Sequence, residues 1–244
     1  MHLPNVSTKL RTGLFAQSAI LALACAAALL AGGCPCAPYN PEIDPAEFGG
    51  PIENPLFPLT PGTTFVYQSA ATKGIEEIRV EVTTETKTIL GVECVVVHDI
   101  VTVGGVLAED TFDWYAQDNE GNVWYFGEYS ERYEDGVFVD THGSWEAGVD
   151  GAKPGIAMKA VPIPGQRYRQ EYYAGVAEDL ALVVSLDETV TVPFGTFSNC
   201  LKTRDTTPLE PGLIEYKYYA PGVGQILTEE PGGVLNELVS IETR

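Results

Sequence analysis

EEIRVEVTTETKTILGVECVVVHDIVTV, at residues 76–103, has a clear strand pattern that continues along the chain. In its first part Ile78, Val80 and Val82 alternate with charged and threonine side chains. A period of two is typical of a β-strand with one buried face. After Gly91 the second part is rich in β-branched residues, which favour strands. The stretch therefore predicts two consecutive strands separated at the glycine.

The same pattern continues along the rest of the chain. Strand-like runs are separated by turn sequences such as Gly104-Gly105, the stretch 118–122 and Asp135-Gly136, which are typical of hairpins. Helix caps followed by amphipathic periods are nearly absent. We therefore predict a single all-β domain over residues 56–244. Its antiparallel strands would follow one another in meander order and form a curved half-barrel or a closed barrel.

The first 33 residues have the composition of an export signal. Lys9 and Arg11 precede an apolar run at 16–30, and the run closes on the sequence LAGGC. A basic start, a short apolar run and small residues before a cysteine are typical of a bacterial lipoprotein signal peptide, although Ala31 stands where a lipobox usually has leucine. We predict a signal peptide at 1–33 and lipidation of Cys34. An uncleaved anchor and an ordinary secretion signal are the alternatives.

Residues 34–55 are rich in proline, glutamate and glycine and show neither a helical nor a strand period. This composition predicts an extended tether between the membrane and the domain. The predicted location is the bacterial cell envelope, outside the cytoplasm. The lipid bilayer would be a partner through the lipid on Cys34.

The charge balance excludes one class of partner. The chain has 34 acidic and 14 basic residues in 244, a formal net charge of −20. Such a chain lacks the basic surface that nucleic acids require, so we predict no nucleic-acid partner. The acidity is compatible with a solvated surface, with a cationic ligand or with a divalent metal.

Two cysteines predict a disulfide. Cys94 and Cys200 each lie in a strand-like run, and after export both would be in an oxidising compartment. In the chain-entropy model a bridge across a loop of ~100 residues stabilises the fold by about 4–5 kcal/mol. Cys36 has no evident partner.

Three phrases resemble known proteins: FPLTPGTTFVY at 57–67, VPFGTFSNC at 192–200 and YYAPGVGQI at 218–226. They are similar to phrases of exported bacterial β-rich lipoproteins, some of which have a curved LolA-like or lipocalin-like sheet. The resemblance implies the fold, the location and an apolar ligand held in the curve. It implies no catalytic residue.

Aromatic side chains are the first candidate site. Adjacent residues of a strand point to opposite faces, so neighbouring aromatics cannot all belong to one core. Some of them would pack inside, while others would line a ligand-binding face. The candidates for that face are Trp114, Trp124, Tyr125, Trp145, Tyr172 and Tyr218.

A histidine loop is the second candidate. The stretch 142–158 contains four glycines and begins with His142, close to Trp145 and Glu146. A loop histidine beside a carboxylate could act as a base or a ligand, so His142 and Glu146 are the catalytic candidates. His98 lies among apolar strand residues and is predicted to be structural. The chain has no nucleophile elbow, P-loop or HExxH motif.

Carboxylates are the third candidate, because oxygen ligands in a turn suit hard cations such as Ca²⁺. A solvated acidic turn or face explains the same residues. The metal candidates are Asp118 and Glu120 in one turn, with Glu171, Glu178, Asp179 and Glu215 further on.

Together these features predict a membrane-anchored extracytoplasmic lipoprotein whose β domain binds a ligand or a partner without catalysis. The ligand would be apolar or cationic. The alternatives are an extracytoplasmic hydrolase or lyase that uses His142 and nearby carboxylates, and a calcium-stabilised structural module.

Overall fold

The structure is a computed structural model, and it describes residues 39–243. The predicted signal peptide, the lipidation of Cys34 and the role of Cys36 lie outside the described residues. In the described part the chain contains a short 3-10 helix, Pro45–Glu47. No helix of that part is long and apolar enough to cross a membrane.

All other regular structure is β, which confirms the predicted class. The strands are β1 (Thr63–Ala71), β2 (Gly74–Ile89), β3 (Val92–Val103), β4 (Val106–Gln117), β5 (Val123–Glu134), β6 (Val137–Asp140), β7 (Trp145–Glu146), β8 (Lys153–Met158), β9 (Arg167–Arg169), β10 (Glu171–Tyr172), β11 (Leu180–Val192), β12 (Gly195–Thr206), β13 (Glu215–Ala220), β14 (Gly224–Glu229) and β15 (Leu235–Thr243). The stretch quoted at the outset forms β2 and β3, which pair antiparallel across the turn at Gly91.

One antiparallel sheet contains these strands. Thirteen of them follow the order β10-β8-β5-β4-β3-β2-β1-β15-β14-β13-β12-β11-β9, and β6 and β7 pair with β5 beside this path. The two edge strands, β9 and β10, are separated in the chain by Gln170 alone. A Cβ atom on Gly155 of β8 would lie 2.2 Å from the backbone of Gln170, so the two sheet edges meet closely there. The sheet is thus a nearly closed barrel.

Side chains fill the inside of the barrel. The rings of Tyr115 and Tyr125 stack 4.8 Å apart, and both side chains are almost fully buried. Phe57, which precedes β1, packs its ring 5.4 Å from Tyr115 and 6.5 Å from Tyr219. The part of the interior that these rings occupy is therefore a packed aromatic core, and an apolar ligand held in the curve stays a prediction.

Residues 39–55, part of the predicted tether, lie against the barrel. The Tyr39 hydroxyl donates to the Pro154 carbonyl at 2.8 Å, and the ring of Phe48 packs on Phe126 at 5.7 Å. Asn54 is buried and donates to the carbonyls of Gly121 and Lys159. These contacts attach the described part of this segment to the domain surface.

The predicted disulfide is wrong. Cys94 and Cys200 are both buried free thiols. Cys94 lies on β3 and Cys200 on β12, six steps apart in the strand order, and each step separates strands by about 4.8 Å. Burial raises the pKa of Cys94 to about 12, so its thiol stays neutral.

Candidate functional site

An open cleft of about 630 Å³ lies over β2, β3 and β4, beside β5 and β7. Its walls combine aromatic rings with carboxylates and a single lysine. The lining residues are Glu85, Thr86, Lys87, Val96, Phe112, Trp114, Glu128, Tyr129, Ser144, Trp145 and Glu146.

Strand alternation and one glycine build this cleft. Trp114 follows Asp113 and precedes Tyr115 on β4, and it points to the face opposite theirs, away from the barrel interior. Gly127 of β5 has φ +135°, and a Cβ atom there would lie 2.3 Å from the Trp145 carbonyl oxygen. The missing side chain allows β7 to pair with β5 at this point, which places Trp145 and its neighbour Glu146 in the cleft wall.

A lysine occupies the aromatic face of the cleft. The Lys87 ammonium nitrogen lies 3.3 Å from the centre of the Trp114 ring and 2.7 Å from Oε2 of Glu146. A cation over an indole with a carboxylate at its side is the arrangement that binds ammonium groups. Both charged side chains are about one third exposed, so solvent and solutes reach the pair.

A second aromatic wall continues from Trp114 along β4. The Phe112 ring stacks on the His98 ring at 4.3 Å with the planes 5° apart, and His98 Nε2 lies 2.7 Å from Asp110 Oδ1. These contacts support the predicted structural role of His98. Tyr129, opposite Phe112 on β5, leaves 42% of its surface exposed.

The cleft reaches the buried interior through Glu128. This carboxyl is 5% exposed, and burial together with Asp113 and Glu171 raises its pKa well above the usual range. Its register partner Asp113 accepts a 2.6 Å hydrogen bond from the Tyr125 hydroxyl. The Tyr125 ring in turn meets Trp145 edge to face at 5.3 Å. A protonated carboxyl thus forms part of the cleft wall.

The interior contains a second lysine among carboxylates. Lys217 Nζ lies 3.2 Å from Asp205 Oδ2, and both side chains are under 5% exposed. Burial opposes the charge of Lys217, yet Asp205, Glu215 and Asp179 together raise its pKa. The ammonium is therefore the counter-ion of this acidic group.

Further carboxyls of the interior titrate near neutrality. Burial raises the pKa of Asp113 to about 7, and burial raises that of Asp179 to about 7 although Lys217 opposes the shift. Burial and Asp179 raise the pKa of Glu171 well above its usual range. These groups are partly or wholly protonated at neutral pH, because the interior gives too few counter-charges for all of them.

The predicted metal residues separate into different environments. Asp118 accepts hydrogen bonds from Glu120 N, from Asn122 and from the Trp124 indole, and so caps its own turn. Glu178 accepts from Gly175 N and lies 3.8 Å from Arg169. Glu171, Asp179 and Glu215 each interact electrostatically with the Lys217 ammonium. Within residues 39–243 no group of three or more His, Cys, Asp or Glu side chains could hold a metal ion.

The predicted ligand-binding aromatics also separate. Trp114 and Trp145 share the cleft, whereas Tyr125 belongs to the core. The other three have these contacts: Trp124 with Asp118 and Phe48, Tyr172 with Tyr39 and Arg169, and Tyr218 with Lys202.

The two catalytic candidates, His142 and Glu146, have different contacts. Glu146 pairs with Lys87 in the cleft. His142 is exposed, and its backbone N–H donates to Asp140 at 3.0 Å, but its side chain is not part of the cleft lining. A joint catalytic role of the two residues stays a prediction.

The sequence patterns missed Lys87, Glu128 and Lys217. Lys87 lies in the stretch 76–103, where the pattern predicts a solvated strand residue. Glu128 and Lys217 occupy strands whose neighbours predict burial, and a charged residue at an inward position was the signal that could have marked them.

Comparisons with known proteins give one distant likeness. No protein-family model matches the chain, and no curated protein matches it. A similar solved structure is that of a candidate lipoprotein from Parabacteroides distasonis ATCC 8503, with 18% identity and a TM-score of 0.41, covering 77% of this chain and 98% of the other. A likeness at this level assigns neither site nor function.

Proposed function

We propose that this protein is a lipid-anchored extracytoplasmic lipoprotein whose barrel binds a small cationic ligand, without catalysis, in the cleft beside Trp114. The anchor is supported by the LAGGC sequence that ends at Cys34, behind a short apolar run. The cation preference is supported by the cleft itself. The ligand would be an ammonium compound of a size that fits about 630 Å³.

The observation that carries this proposal is the position of the Lys87 ammonium. It lies 3.3 Å from the Trp114 ring centre and 2.7 Å from Glu146, where a ligand ammonium would make the same two contacts. Lys87 is attached to a flexible stem and is one third exposed, so a ligand can displace it at small cost. The protein's own lysine thus indicates what the site accepts.

Charge around the cleft favours the same class of ligand. Two carboxylates, Glu85 and Glu146, line the cleft with Lys87 as the single basic side chain of its lining. The net charge of −20 adds a long-range attraction for cations. Phe112 and Tyr129 extend the aromatic surface beyond Trp114, so that an apolar portion of the ligand also has a contact.

The test compares choline with its neutral isostere 3,3-dimethylbutan-1-ol by isothermal titration calorimetry. The two molecules have the same shape, so a difference in their binding measures the contribution of the charge. We expect choline to bind at least tenfold more tightly. Equal binding of both molecules, or no binding of choline to either the wild type or the Lys87→Met variant, would overturn the proposal.

Two tryptophan variants localise the binding. Trp114→Leu removes the aromatic face and should weaken choline binding about two- to thirtyfold, because cation–π contacts contribute about 0.5–2 kcal/mol. Trp124→Leu is the matched control, since Trp124 packs on Phe48 outside the cleft. A loss that is equal in both folded variants would contradict binding at Trp114.

A further inference from the structure

Three hairpin turns meet at one end of the barrel. They are the β1–β2, β3–β4 and β5–β6 turns, and each connects consecutive strands of the meander. Lys73 Nζ lies 2.7 Å from Asp135 Oδ1 and joins the first turn to the third. The Gly104 N–H donates to the Ile75 carbonyl at 2.8 Å and joins the first to the second. The turns therefore form one continuous surface.

This surface is apolar and exposed. Val137 exposes 68% of its area, Ile75 57% and Phe138 52%, and Val106 and Val139 are exposed beside them. We call these five residues the apolar tip. Single exposed apolar residues are common on protein surfaces, whereas a contiguous group indicates a contact with another apolar phase. At the same end, Lys73 and Asp135 neutralise each other.

The N-terminal segment approaches the apolar tip along the barrel wall. Phe48 bridges to Asp118 in the β4–β5 turn, at the end opposite the tip. Tyr39, earlier in the chain, donates its hydroxyl to Pro154 on β8, which is level with Phe126 in the first third of β5. Traced backwards from Phe48 to Tyr39, the chain therefore runs towards the tip.

The length of chain before Tyr39 is close to the remaining distance. Tyr39 lies five residues after Cys34, and five residue steps span at most about 17 Å. Because Tyr125 pairs with Gly155, Pro154 is level with Phe126, and eight residues remain from there to the end of β5 at Glu134. At the usual tilt of barrel strands this is about 20 Å along the barrel axis, so Cys34 can come within a few Å of the level of the tip.

We propose that the apolar tip contacts the interfacial layer of the bilayer to which Cys34 is attached, and so forms a second, protein-built membrane contact. This inference rests on the lipoprotein part of the proposed function. A lipid and an inserted apolar group together hold a protein more firmly than either does alone. The two contacts also fix the orientation of the barrel, with the β4–β5 turn directed away from the membrane.

The test measures depth in the membrane with a tryptophan at each end of the barrel. The full chain, expressed with its own N-terminus and purified from membranes, is reconstituted in phosphatidylcholine vesicles with brominated acyl chains, which quench nearby tryptophan. Val137→Trp probes the tip. Val161→Trp is the matched control, because Val161 is 74% exposed and its neighbour Ala160 contacts Asn122 at the opposite end.

We expect the fluorescence added by Val137→Trp to be quenched by at least half, and that added by Val161→Trp to be unchanged. Mass spectrometry of the Cys34 peptide from the same preparation shows whether Cys34 carries a lipid, and so tests the anchor separately from the contact of the apolar tip. A lipidated protein with equal quenching at both ends would overturn this inference alone. Absence of the lipid would overturn the anchor and this inference with it. Concentration-dependent dimers that shield the tip from quenching would assign the tip to a second copy and also overturn it.

Discussion

Two of the molecule's lysine–carboxylate pairs lie in opposite settings. Lys217 and Asp205 lie 3.2 Å apart inside the barrel, and both are under 5% exposed. Lys87 and Glu146 lie 2.7 Å apart in the cleft, and both are 36% exposed. The shorter distance belongs to the more exposed pair, so distance alone does not rank their importance.

The surroundings decide what each pair does. In the interior, Glu215 and Asp179 add further negative charge around Lys217, and water cannot replace the ammonium, so its loss leaves buried charges unpaired. In the cleft, water or a solute can replace the Lys87 ammonium at once. The first pair therefore stabilises the fold, while the second occupies a site that a ligand can take.

The largest expected effect is that of Lys217→Met. Removing one partner of a buried ion pair costs about 3–5 kcal/mol, and here the remaining carboxylates also repel one another. We expect the free energy of unfolding in urea at pH 7.5 to fall by that amount. The deficit should shrink as the pH is lowered, because protonation removes the unpaired charges. A loss under 1 kcal/mol at pH 7.5 would mean that the interior pair is no more structural than the exposed one.

The second effect is a loss of stability between pH 5 and pH 7.5. Burial raises the pKa of Asp113 and Asp179 to about 7 in the folded protein, while unfolded aspartate titrates near 3.9. Over this range the aspartates of the unfolded chain are already ionised, whereas the folded protein still binds their protons, so stability falls as the pH rises. We expect a decrease of at least about 2 kcal/mol in the free energy of unfolding, measured by urea denaturation across the range.

Glu171→Gln sharpens this pH test. The amide has the shape of the protonated acid and carries no charge, and burial already raises the pKa of Glu171 well above its usual range. We therefore expect a smaller pH dependence than in the wild type and no loss of stability at pH 7.5. The control is Glu85→Gln in the open cleft, which should leave the pH dependence unchanged. An unaltered slope in Glu171→Gln would contradict a protonated interior.

The sequence predicted the fold better than the site. Alternation at Ile78, Val80 and Val82 reports burial on one side of a strand, and this local signal is enough to predict β2. The neighbours across the sheet are not local: Lys87 meets Glu146 only because β7 returns to pair with β5 at Gly127. The same reason explains the wrong disulfide, since spacing along the chain does not report that six strand steps separate the two cysteines.

A smaller effect on stability is expected when one of two tyrosine hydroxyls of β5 is removed. Tyr125 is fully buried and donates a 2.6 Å hydrogen bond to Asp113, so Tyr125→Phe should cost about 1–2 kcal/mol. Tyr129 is exposed and donates to Glu131 at 2.9 Å, where water replaces the lost partner, so Tyr129→Phe should leave stability unchanged. Urea denaturation of both variants gives the difference. Equal costs would remove the distinction between interior and surface.

Lys87→Met should cause the smallest change in stability. The same variant should cause the clearest change in ligand binding. Exposed ion pairs contribute about 0–1 kcal/mol, and the methionine stem keeps contact with the Trp114 ring, so the free energy of unfolding should change by under about 1 kcal/mol. Choline no longer competes with the internal ammonium, so its affinity should rise about three- to tenfold in calorimetric titration. Weaker choline binding in this variant would mean that Lys87 contributes to the site instead of occupying it, and the cleft would then favour an anion.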